Sequence, residues 1–352
     1  MRAYVNMHRV YHGAMNKTLS RVIIAVTSLL IIVVVGRYAY MEYPALFGMT
    51  PVVEQKLAAP QLNGSLILTM RPSVPARSPA AIYAMSTQDG TLKKVDDSHD
   101  FFSPSFSTDG RVAVTAALDS TSVVLAIVKA NDKTHPTYVV APAPTLTPGA
   151  SSWSPDNKYI AYEAVTALPA IDDIAIENSR IVLLDVTTGA QKILDTGASP
   201  LFVRDGSVLY VKSDGIYRID ADGLAASSSA ESALRVAYFD GYQASRMSRI
   251  ALSHDGVALT ASHPQSNGFV AYAVSTSSPF TLTDKGGIKA RVLYPVFSPD
   301  DRSIAFVELG TDADGHTTKN IMIADTRTLQ AHVLSNLTKY TNDALSIGAW
   351  IK

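Results

Sequence analysis

Residues Trp153–Tyr162 read Trp-Ser-Pro-Asp-Asn-Lys-Tyr-Ile-Ala-Tyr and describe one β-hairpin. The aromatic residue ends a strand, the Pro-Asp-Asn corner reverses the chain, and an alternating apolar run follows. Proline fixes φ for the first corner of a tight turn, and Asp and Asn tolerate the corners that come next. The stretch therefore predicts two adjacent antiparallel strands, and related stretches recur along the chain.

The related turns recur at a nearly constant distance. Phe106–Gly110 and Phe297–Asp301 keep the pattern, whereas Phe202–Gly206 and Leu252–Gly256 are degenerate copies. The turn aspartates stand at positions 109, 156, 205, 255 and 300, in steps of 47, 49, 50 and 45 residues. Asn63-Gly64 adds a sixth turn 46 residues before the first of them. Such a period, with four short strands in each unit, is typical of the blades of a β-propeller.

The two ends of this array complement each other. Trp350 stands where a seventh aromatic residue is expected, 53 residues after Phe297, and the chain continues for only two more residues. Asn63-Gly64 has a second strand after it but no obvious aromatic strand before it. We therefore expect Ser346–Ile351 to supply the inner strand of the first blade, which closes a ring of six blades and removes exposed sheet edges.

The repeat resembles that of the TolB-type propellers, in which Phe/Trp-Ser-Pro-Asp is followed by a strand such as Ile-Ala-Phe/Tyr. The resemblance covers about Leu62 to Lys352 and is best at Trp153–Tyr162 and Phe297–Phe306. It implies a six-bladed all-β fold of four-stranded antiparallel sheets. Most TolB-like propellers are non-catalytic periplasmic modules that bind other envelope proteins. The repeat also resembles the gating propeller of prolyl-oligopeptidase-like enzymes, so it predicts a fold better than a function.

The aromatic or apolar residue before each turn has a predicted structural role. Large side chains at this repeated position can wedge between neighbouring blades and bury much apolar area there. Because an active site needs asymmetry and a repeat supplies copies, we expect these residues to serve the fold. The predicted seam residues are Phe106, Trp153, Phe202, Leu252, Phe297 and Trp350.

The N-terminal part of the chain differs in composition from the propeller. Residues 1–21 carry basic and no acidic side chains, residues 22–41 are largely apolar, and residues 42–61 contain three prolines. Twenty residues of helix suffice to cross a bilayer. We expect a short cytoplasmic tail, one transmembrane helix and a stalk, with the propeller at 62–352 on the extracytoplasmic side. A cleaved signal peptide and a buried soluble helix are the alternatives.

The connections between the second and third strands of the blades, called here the B–C connections, are the long ones. Four are predicted to be extended: Arg71–Pro79, Val165–Glu177, His263–Gly268 and Gly310–Lys319. Long loops on one face of a rigid scaffold often carry recognition, although tolerated insertions would look the same. The hypothesis places a partner on this face. Its candidate residues are Arg71, Arg77, Asp172, Asp173, His263 and His316.

Signals for catalysis and cofactors are weak. The chain has no cysteine, which excludes thiolate chemistry and disulfides, and it lacks a Gly-x-Ser-x-Gly elbow and a phosphate-binding loop. Asp312 and Asp314 offer paired carboxylates to Ca²⁺, but hairpin chemistry explains an Asp-x-Asp-Gly turn equally well. We therefore expect no enzyme activity and no cofactor, with Asp312 and Asp314 as weak metal candidates.

Charge and pattern together limit the classes of partner. The formal net charge is −1, so no basic field favours nucleic acid. We expect a non-catalytic, protein-binding scaffold in a cell-envelope assembly, whose partners are other envelope or membrane proteins. The alternatives are an envelope enzyme, such as a lyase or a lactonase-type hydrolase with a metal in the channel, and a module that binds a glycan or peptide there. The predicted inner strands carry no acidic or histidine cluster, which favours binding.

Overall fold

The fold is taken from a computed structural model of the chain. The predicted tail, membrane segment and stalk lie outside the residues that it describes. In the part of the chain that is described, no helix is long and apolar enough to cross a bilayer. The structure describes residues 64–72, 80–96, 100–117, 123–129, 132–138, 146–166, 176–221, 233–239, 248–263, 268–275, 281–288, 290–338 and 341–351.

These residues form six four-stranded antiparallel sheets, which confirms the predicted six-bladed propeller. Blades 1 to 3 contain β1 (Ser65–Pro72), β2 (Ala81–Ser86), β3 (Leu92–Asp96); β4 (Asp100–Phe106), β5 (Arg111–Ala117), β6 (Val123–Lys129), β7 (Asp132–Tyr138); and β8 (Leu146–Trp153), β9 (Tyr159–Thr166), β10 (Ser179–Asp185), β11 (Gln191–Thr196). A 3₁₀ turn at Ile176–Asn178 precedes β10.

Blades 4 to 6 repeat the same order of strands from the inner to the outer edge. They contain β12 (Ala198–Phe202), β13 (Val208–Lys212), β14 (Gly215–Ile219), β15 (Leu234–Tyr238); β16 (Arg249–Leu252), β17 (Ala258–His263), β18 (Gly268–Ser275), β19 (Thr281–Ile288); and β20 (Arg291–Phe297), β21 (Ser303–Thr311), β22 (Thr317–Asp325), β23 (Ala331–Asn336). The last strand, β24 (Thr341–Ile351), belongs to blade 1.

Blade 1 is completed by the two ends of the propeller, as the sequence predicts. Strand β24 pairs antiparallel with β1, and Leu66 lies opposite Trp350. The pairing extends from Ser65 opposite Ile351 to Pro72 opposite Thr341, so β24 is longer than the predicted Ser346–Ile351. The inner strand of blade 1 thus comes from the C-terminal end of the chain, and the ring has no open edge at this point.

The tight turn between the first and second strands has one backbone geometry in blades 2 to 6. The residue after the turn aspartate has a positive φ in all five, for example 59° at Asn157 and 58° at Asp301. Gly, Asn and Asp adopt this left-handed conformation at low cost. This explains why the repeat ends in one of these three residue types.

A buried serine holds most of these turns together. In blade 3 the Ser154 hydroxyl donates to Asp156 Oδ1 at 2.7 Å and accepts from the Tyr159 amide at 2.9 Å. The aspartate also accepts from the Lys158 amide at 3.2 Å. Blades 2, 5 and 6 use the same Ser-x-Asp arrangement, through Ser107, Ser253 and Ser298. The serine is part of the repeated Phe/Trp-Ser-Pro-Asp motif, and the structure shows that its hydroxyl links the turn aspartate to the next strand.

The hydrophobic core is divided among the seams between blades. One cluster joins Leu293 and Ile321 of blade 6 to Leu66 and Trp350 of blade 1. Another places Trp153 of blade 3 against side chains of blade 2. Each blade thus buries its faces against its two neighbours, and a missing blade would expose apolar surface on both sides.

The predicted seam residues differ in their burial. Trp153, Phe202, Phe297 and Trp350 are buried, and Leu252 is half-buried. Phe106 departs from the expectation, because its side chain is 37% exposed and lines the central channel. Pro104 occupies the seam in its place: a Cβ on Gly348 of blade 1 would lie 2.3 Å from Pro104 Cγ.

We predict that Trp350→Ala lowers the free energy of unfolding by about 3 to 5 kcal/mol, the usual cost of truncating a buried tryptophan. The reason is the loss of the 4% exposed indole from the seam that closes the ring. Urea denaturation of the purified protein measures the change. Ile351→Ala is the matched control, since Ile351 lies on the same strand and is 40% exposed; an equal loss in both variants would contradict the closure role of Trp350.

Candidate functional site

The six inner strands β24, β4, β8, β12, β16 and β20 surround a central cavity of about 350 Å³. Every blade contributes three or more lining residues, and serine is the most frequent residue type among them. The channel is therefore the one place in the described part of the chain where side chains from all six blades meet. Ligand sites of propellers and other closed β-structures commonly lie in such a concavity.

One layer of the channel shows how the repeat loses its symmetry. The layer is the position three residues before each seam residue, and two large polar side chains, Arg249 and Tyr294, stand next to each other in it. The guanidinium carbon of Arg249 lies 5.5 Å from the centroid of the Tyr294 ring. Small residues occupy the opposite side, on blades 2 and 3. In blade order from 1 to 6, the layer contains Ile347, Ser103, Ala150, Ser199, Arg249 and Tyr294.

The layer residue has a positive φ in alternate blades, and the strand register also shifts near the layer in blades 1 and 3. Ser103, Ser199 and Tyr294 have φ values of 46°, 52° and 51°, and each precedes a proline. A β-bulge follows in each case, since the strand register shifts at these points. Bulges re-aim side chains and are common beside functional sites. Strand β16 pairs with β17 without such a shift. Arg249 therefore lies on an inner strand with regular pairing.

The described lining residues include basic and no acidic side chains. They include Arg249 and His254, and no Asp or Glu is among them. Arg249 Nη1 donates to the Ser248 carbonyl at 3.0 Å. His254 Nδ1 lies 2.9 Å from Asp301 Oδ1 at the channel rim. In the described residues, the lining combines apolar side chains, such as Trp153 and Phe297, with serine hydroxyls and the basic side chains of Arg249 and His254.

The face formed by the tight turns, called here the tight-turn rim, uses its polar groups between blades. Arg111 Nη2 of blade 2 donates to the Asn157 carbonyl of blade 3 at 2.9 Å. Arg204 Nη2 of blade 4 donates to the His254 carbonyl of blade 5 at 2.9 Å, and the His254 amide donates to Asp301 Oδ1 of blade 6 at 2.7 Å. These contacts link neighbouring blades, so the rim stabilises the ring.

The turn carboxylates are held in their ionised form. The Ser154 hydroxyl lowers the pKa of Asp156, and the Ser253 and Ser298 hydroxyls do the same at Asp255 and Asp300. Each of these carboxylates accepts hydrogen bonds that are stronger to the charged form. Each of these carboxylates is therefore engaged in the structure of its own turn.

Most residues predicted for the partner face lie where side chains are not described. Arg77, Asp172 and Asp173 are outside the described residues. Arg71 and His263 are known only as positions at the ends of strands β1 and β17. The blade-6 connection is shorter than expected, since β21 and β22 extend to Thr311 and Thr317 and leave only 312–316 as a loop.

The weak metal candidates lie in that loop together with His316. Ligand atoms of Asp312, Asp314 and His316 come within 4.8 Å of one another, and all three side chains are exposed. Asp312 Oδ1 accepts from the amides of Asp314 and His316 at 3.0 and 2.8 Å. These backbone bonds lower the pKa of Asp312 and explain the Asp as a turn residue.

A buried polar group that sequence analysis missed lies between blades 3 and 4. Asp195 accepts a short hydrogen bond from the Tyr210 hydroxyl and pairs with Lys212 Nζ at 2.7 Å. Burial, followed by the hydrogen bond to Asp195, raises the pKa of Tyr210 well above its usual range. The three residues fix the contact of β11 with β13. The three residues lie in two different blades and share no sequence motif, so only the tertiary structure brings them together.

The described residues define a six-bladed β-propeller with a TolB-like fold. TolB from Acinetobacter baumannii matches with 16% identity and a TM-score of 0.56, over 82% of this chain and 66% of that chain. A chain of a nidogen/laminin complex matches with 10% identity and a TM-score of 0.55, over 81% and 98%. No protein-family model and no curated protein sequence matches the chain.

A third similar structure is an enzyme. A puromycin-hydrolysing peptidase of Mycobacterium tuberculosis matches with 13% identity and a TM-score of 0.52, over 77% of this chain and 44% of that chain. At these identities the likeness concerns the fold alone. Because the same fold serves proteins of different kinds, an activity has to be argued from the site.

We predict that the protein loses stability at alkaline pH through its buried tyrosines. Burial raises the pKa of Tyr162 from 10.0 to about 12. Because the pKa is higher in the folded state, the neutral hydroxyl stabilises the folded protein. This stabilisation is complete below pH 10 and is lost as the pH rises through 12. Two pKa units correspond to about 3 kcal/mol, of which about half is lost by pH 11, one unit above the unfolded-state pKa. Urea denaturation at about pH 8 and about pH 11 measures the loss, which should be smaller in Tyr162→Phe.

The control for this prediction is Tyr238→Phe, whose side chain is 61% exposed. This variant should lose as much stability between the two pH values as the parent protein. The Tyr162 hydroxyl also donates to Gln191 Oε1 at 2.8 Å, so Tyr162→Phe should be about 1 kcal/mol less stable near neutral pH. An unchanged alkaline loss in Tyr162→Phe would contradict the role of this ionisation.

Proposed function

We propose that the protein is a membrane-anchored, extracytoplasmic β-propeller that acts as a non-catalytic docking scaffold in a cell-envelope assembly. Its partner is another envelope or membrane protein, which binds on the face of the B–C connections. The proposal combines the TolB-like propeller fold with the apolar segment 22–41 and with residues 1–21, which carry basic and no acidic side chains.

The observation that carries the choice of face is the use of polar groups on the tight-turn rim. Arg111, Arg204 and Asp301 all bond a neighbouring blade there. A partner on that face would compete with bonds that hold the ring together. The B–C connections lie at the other ends of the strands, and their residues Arg71 and Arg77 are charged side chains that such a role requires.

The acid-free lining supports binding over metal-assisted catalysis. A catalytic metal needs about three protein ligands, of carboxylate, imidazole or thiolate type. Among the described lining residues, only His254 belongs to these types, and its ring is engaged with Asp301. The enzyme alternative would therefore have to place its ligands at positions other than the described lining.

Charge reversal on the proposed partner face should abolish capture of the partner. We predict that Arg71→Glu with Arg77→Glu, and separately Asp172→Lys with Asp173→Lys, lower the yield of crosslinked partner by about tenfold, since each reversal opposes charges across an interface. The measurement is crosslinking in intact cells that produce the full chain, followed by identification of the attached proteins.

Lys158→Glu is the matched control on the tight-turn rim. Its side chain is 71% exposed and forms only a surface pair with Asp156 at 3.3 Å, which contributes little to stability. Capture should be unchanged in this variant. The proposed face would be wrong if Lys158→Glu lost the partner while both pairs of reversals kept it, and recovery of lipids without any protein would remove the scaffold role.

Removal of the N-terminal segment should release the propeller from the membrane. We predict that a chain lacking residues 1–41 appears in the soluble fraction, because the remaining sequence has no comparable apolar run. The full chain should stay in the membrane pellet after washing at alkaline pH, and protease added outside intact spheroplasts should digest the propeller. A propeller protected from that protease would contradict the predicted orientation.

A further inference from the structure

Blade 4 places described side chains on the face of the B–C connections. Asp214 belongs to the short connection between β13 and β14, and Tyr238 ends β15 opposite Gly215. Neighbouring strands of the blade run antiparallel, so the end of β15 and the β13–β14 connection lie on the same face of the ring. The proposed partner face therefore includes side chains of blade 4 whose positions are defined.

Tyr238 exposes an aromatic ring on this face. It is 61% exposed, and Phe106, the other exposed aromatic residue in the described part of the chain, lines the channel instead. Tyrosine and arginine are enriched among the residues that dominate the free energy of binding at protein interfaces. Outside the channel, Tyr238 is thus the described aromatic residue best placed to contact another molecule.

The side chains next to Tyr238 hold one another in place. The guanidinium carbon of Arg235 lies 5.2 Å from the centroid of the Tyr238 ring, and Arg235 Nη1 donates to Asp214 Oδ2 at 2.8 Å. The Tyr217 hydroxyl donates to the same carboxylate oxygen at 3.1 Å. Side chains that are ordered before binding lose less conformational entropy when a partner binds.

Buried side chains support this group from the seam between blades 3 and 4. Lys212 Nζ lies 4.7 Å from the centroid of the Tyr217 ring and 2.7 Å from Asp195 Oδ2. The Tyr210 ring, which is fully buried, lies 6.0 Å from the Tyr217 ring between centroids. The whole group, called here the Tyr238 cluster, consists of Asp195, Lys212, Asp214, Tyr217, Arg235 and Tyr238.

The charges of the Tyr238 cluster cancel. Lys212 is paired with Asp195, and Arg235 is paired with Asp214. A carboxylate brought to Arg235 would also meet the charge of Asp214, so the cluster favours neither sign of charge. A guanidinium has five N–H groups, and the Arg235 side chain is 48% exposed. It can therefore donate to an uncharged oxygen while it keeps its bond to Asp214.

The exposed part of the cluster contributes little to folding. The Arg235–Asp214 pair lies at the surface, where such pairs stabilise a protein weakly, and Tyr238 leaves most of its surface in water. A partner that covered the ring would remove apolar surface from water. Recognition of another molecule thus uses what folding leaves exposed.

We propose that Tyr238 and Arg235 anchor the partner protein on the B–C face. Tyr238 covers an apolar side chain of the partner, and Arg235 donates to an uncharged oxygen beside it, such as a backbone carbonyl. The inference rests on the proposed docking function and adds the chemistry of the contact, which is an apolar, uncharged segment of a protein.

The experiment uses the protein that is recovered by crosslinking the parent full chain in intact cells. This protein is purified and titrated onto the detergent-solubilised full chain and its variants. Tyr238→Ala should weaken binding by about tenfold or more, as expected for an interface anchor, whereas Tyr238→Phe keeps the ring and should bind as the parent does. Arg235→Gln combined with Asp214→Asn keeps the formal charge at zero and should also weaken binding by about tenfold.

Ile193→Ala is the matched control. Ile193 is 62% exposed on β11 of blade 3 and is not part of the Tyr238 cluster, so this variant should bind as the parent does. Salt provides a second readout, because an uncharged contact is not screened. The ratio of the parent and Tyr238→Ala affinities should stay the same between about 0.05 and about 0.5 M sodium chloride. Circular dichroism checks that each variant is folded.

The inference alone fails if the recovered protein is lost by the charge reversals at Arg71 and Arg77 but binds folded Tyr238→Ala as it binds the parent. It also fails if Ile193→Ala loses as much affinity, if the affinity ratio disappears at high salt, or if the chain recovers only further copies of itself. Recovery of no protein by the parent chain would remove the docking function and the inference together.

Discussion

The pairing of β24 with β1 is the constraint on which the propeller depends. It joins the C-terminal end of the chain to the first strand of the ring, with Trp350 opposite Leu66. Closing so long a loop costs entropy that only the completed ring offsets. The seam cluster around Leu66, Leu293 and Trp350 supplies apolar burial at the same point. Without this pairing, blades 1 and 6 would each expose a face, and two sheet edges would be open to other chains.

The turns keep the symmetry of the repeat, and the channel layer loses it. The Ser-x-Asp turn and the left-handed residue after it recur because every blade must reverse its chain in the same way, as at Ser154 and Asn157. The channel layer does not recur: Arg249 and Tyr294 replace the small residues found in blades 2 and 3. Arg249 and Tyr294 also contact each other, so this departure from the pattern is shared by blades 5 and 6.

The sequence predicted the blades and the closing strand because turn chemistry and alternation are local signals. Trp153–Tyr162 carries both, and its copies repeat them. The buried Asp195–Tyr210–Lys212 group and the channel layer were not foreseen, since they depend on which residues of different blades meet. Phe106 was misplaced because an aromatic residue at the repeat position can face a seam or the channel, and Pro104 takes the seam in blade 2.

Closure is tested most directly by a disulfide across the last pairing. The chain has no cysteine, and Ser65 lies opposite Ile351. Opposed residues in antiparallel strands have Cα atoms about 4.5 to 5.5 Å apart, which a disulfide can span. Ser65→Cys with Ile351→Cys should form an intramolecular disulfide in the folded protein, seen as faster migration on a non-reducing gel. Ser65→Cys with Val333→Cys is the control that should not crosslink. Free thiols or only intermolecular bonds in the first pair would contradict the closed ring.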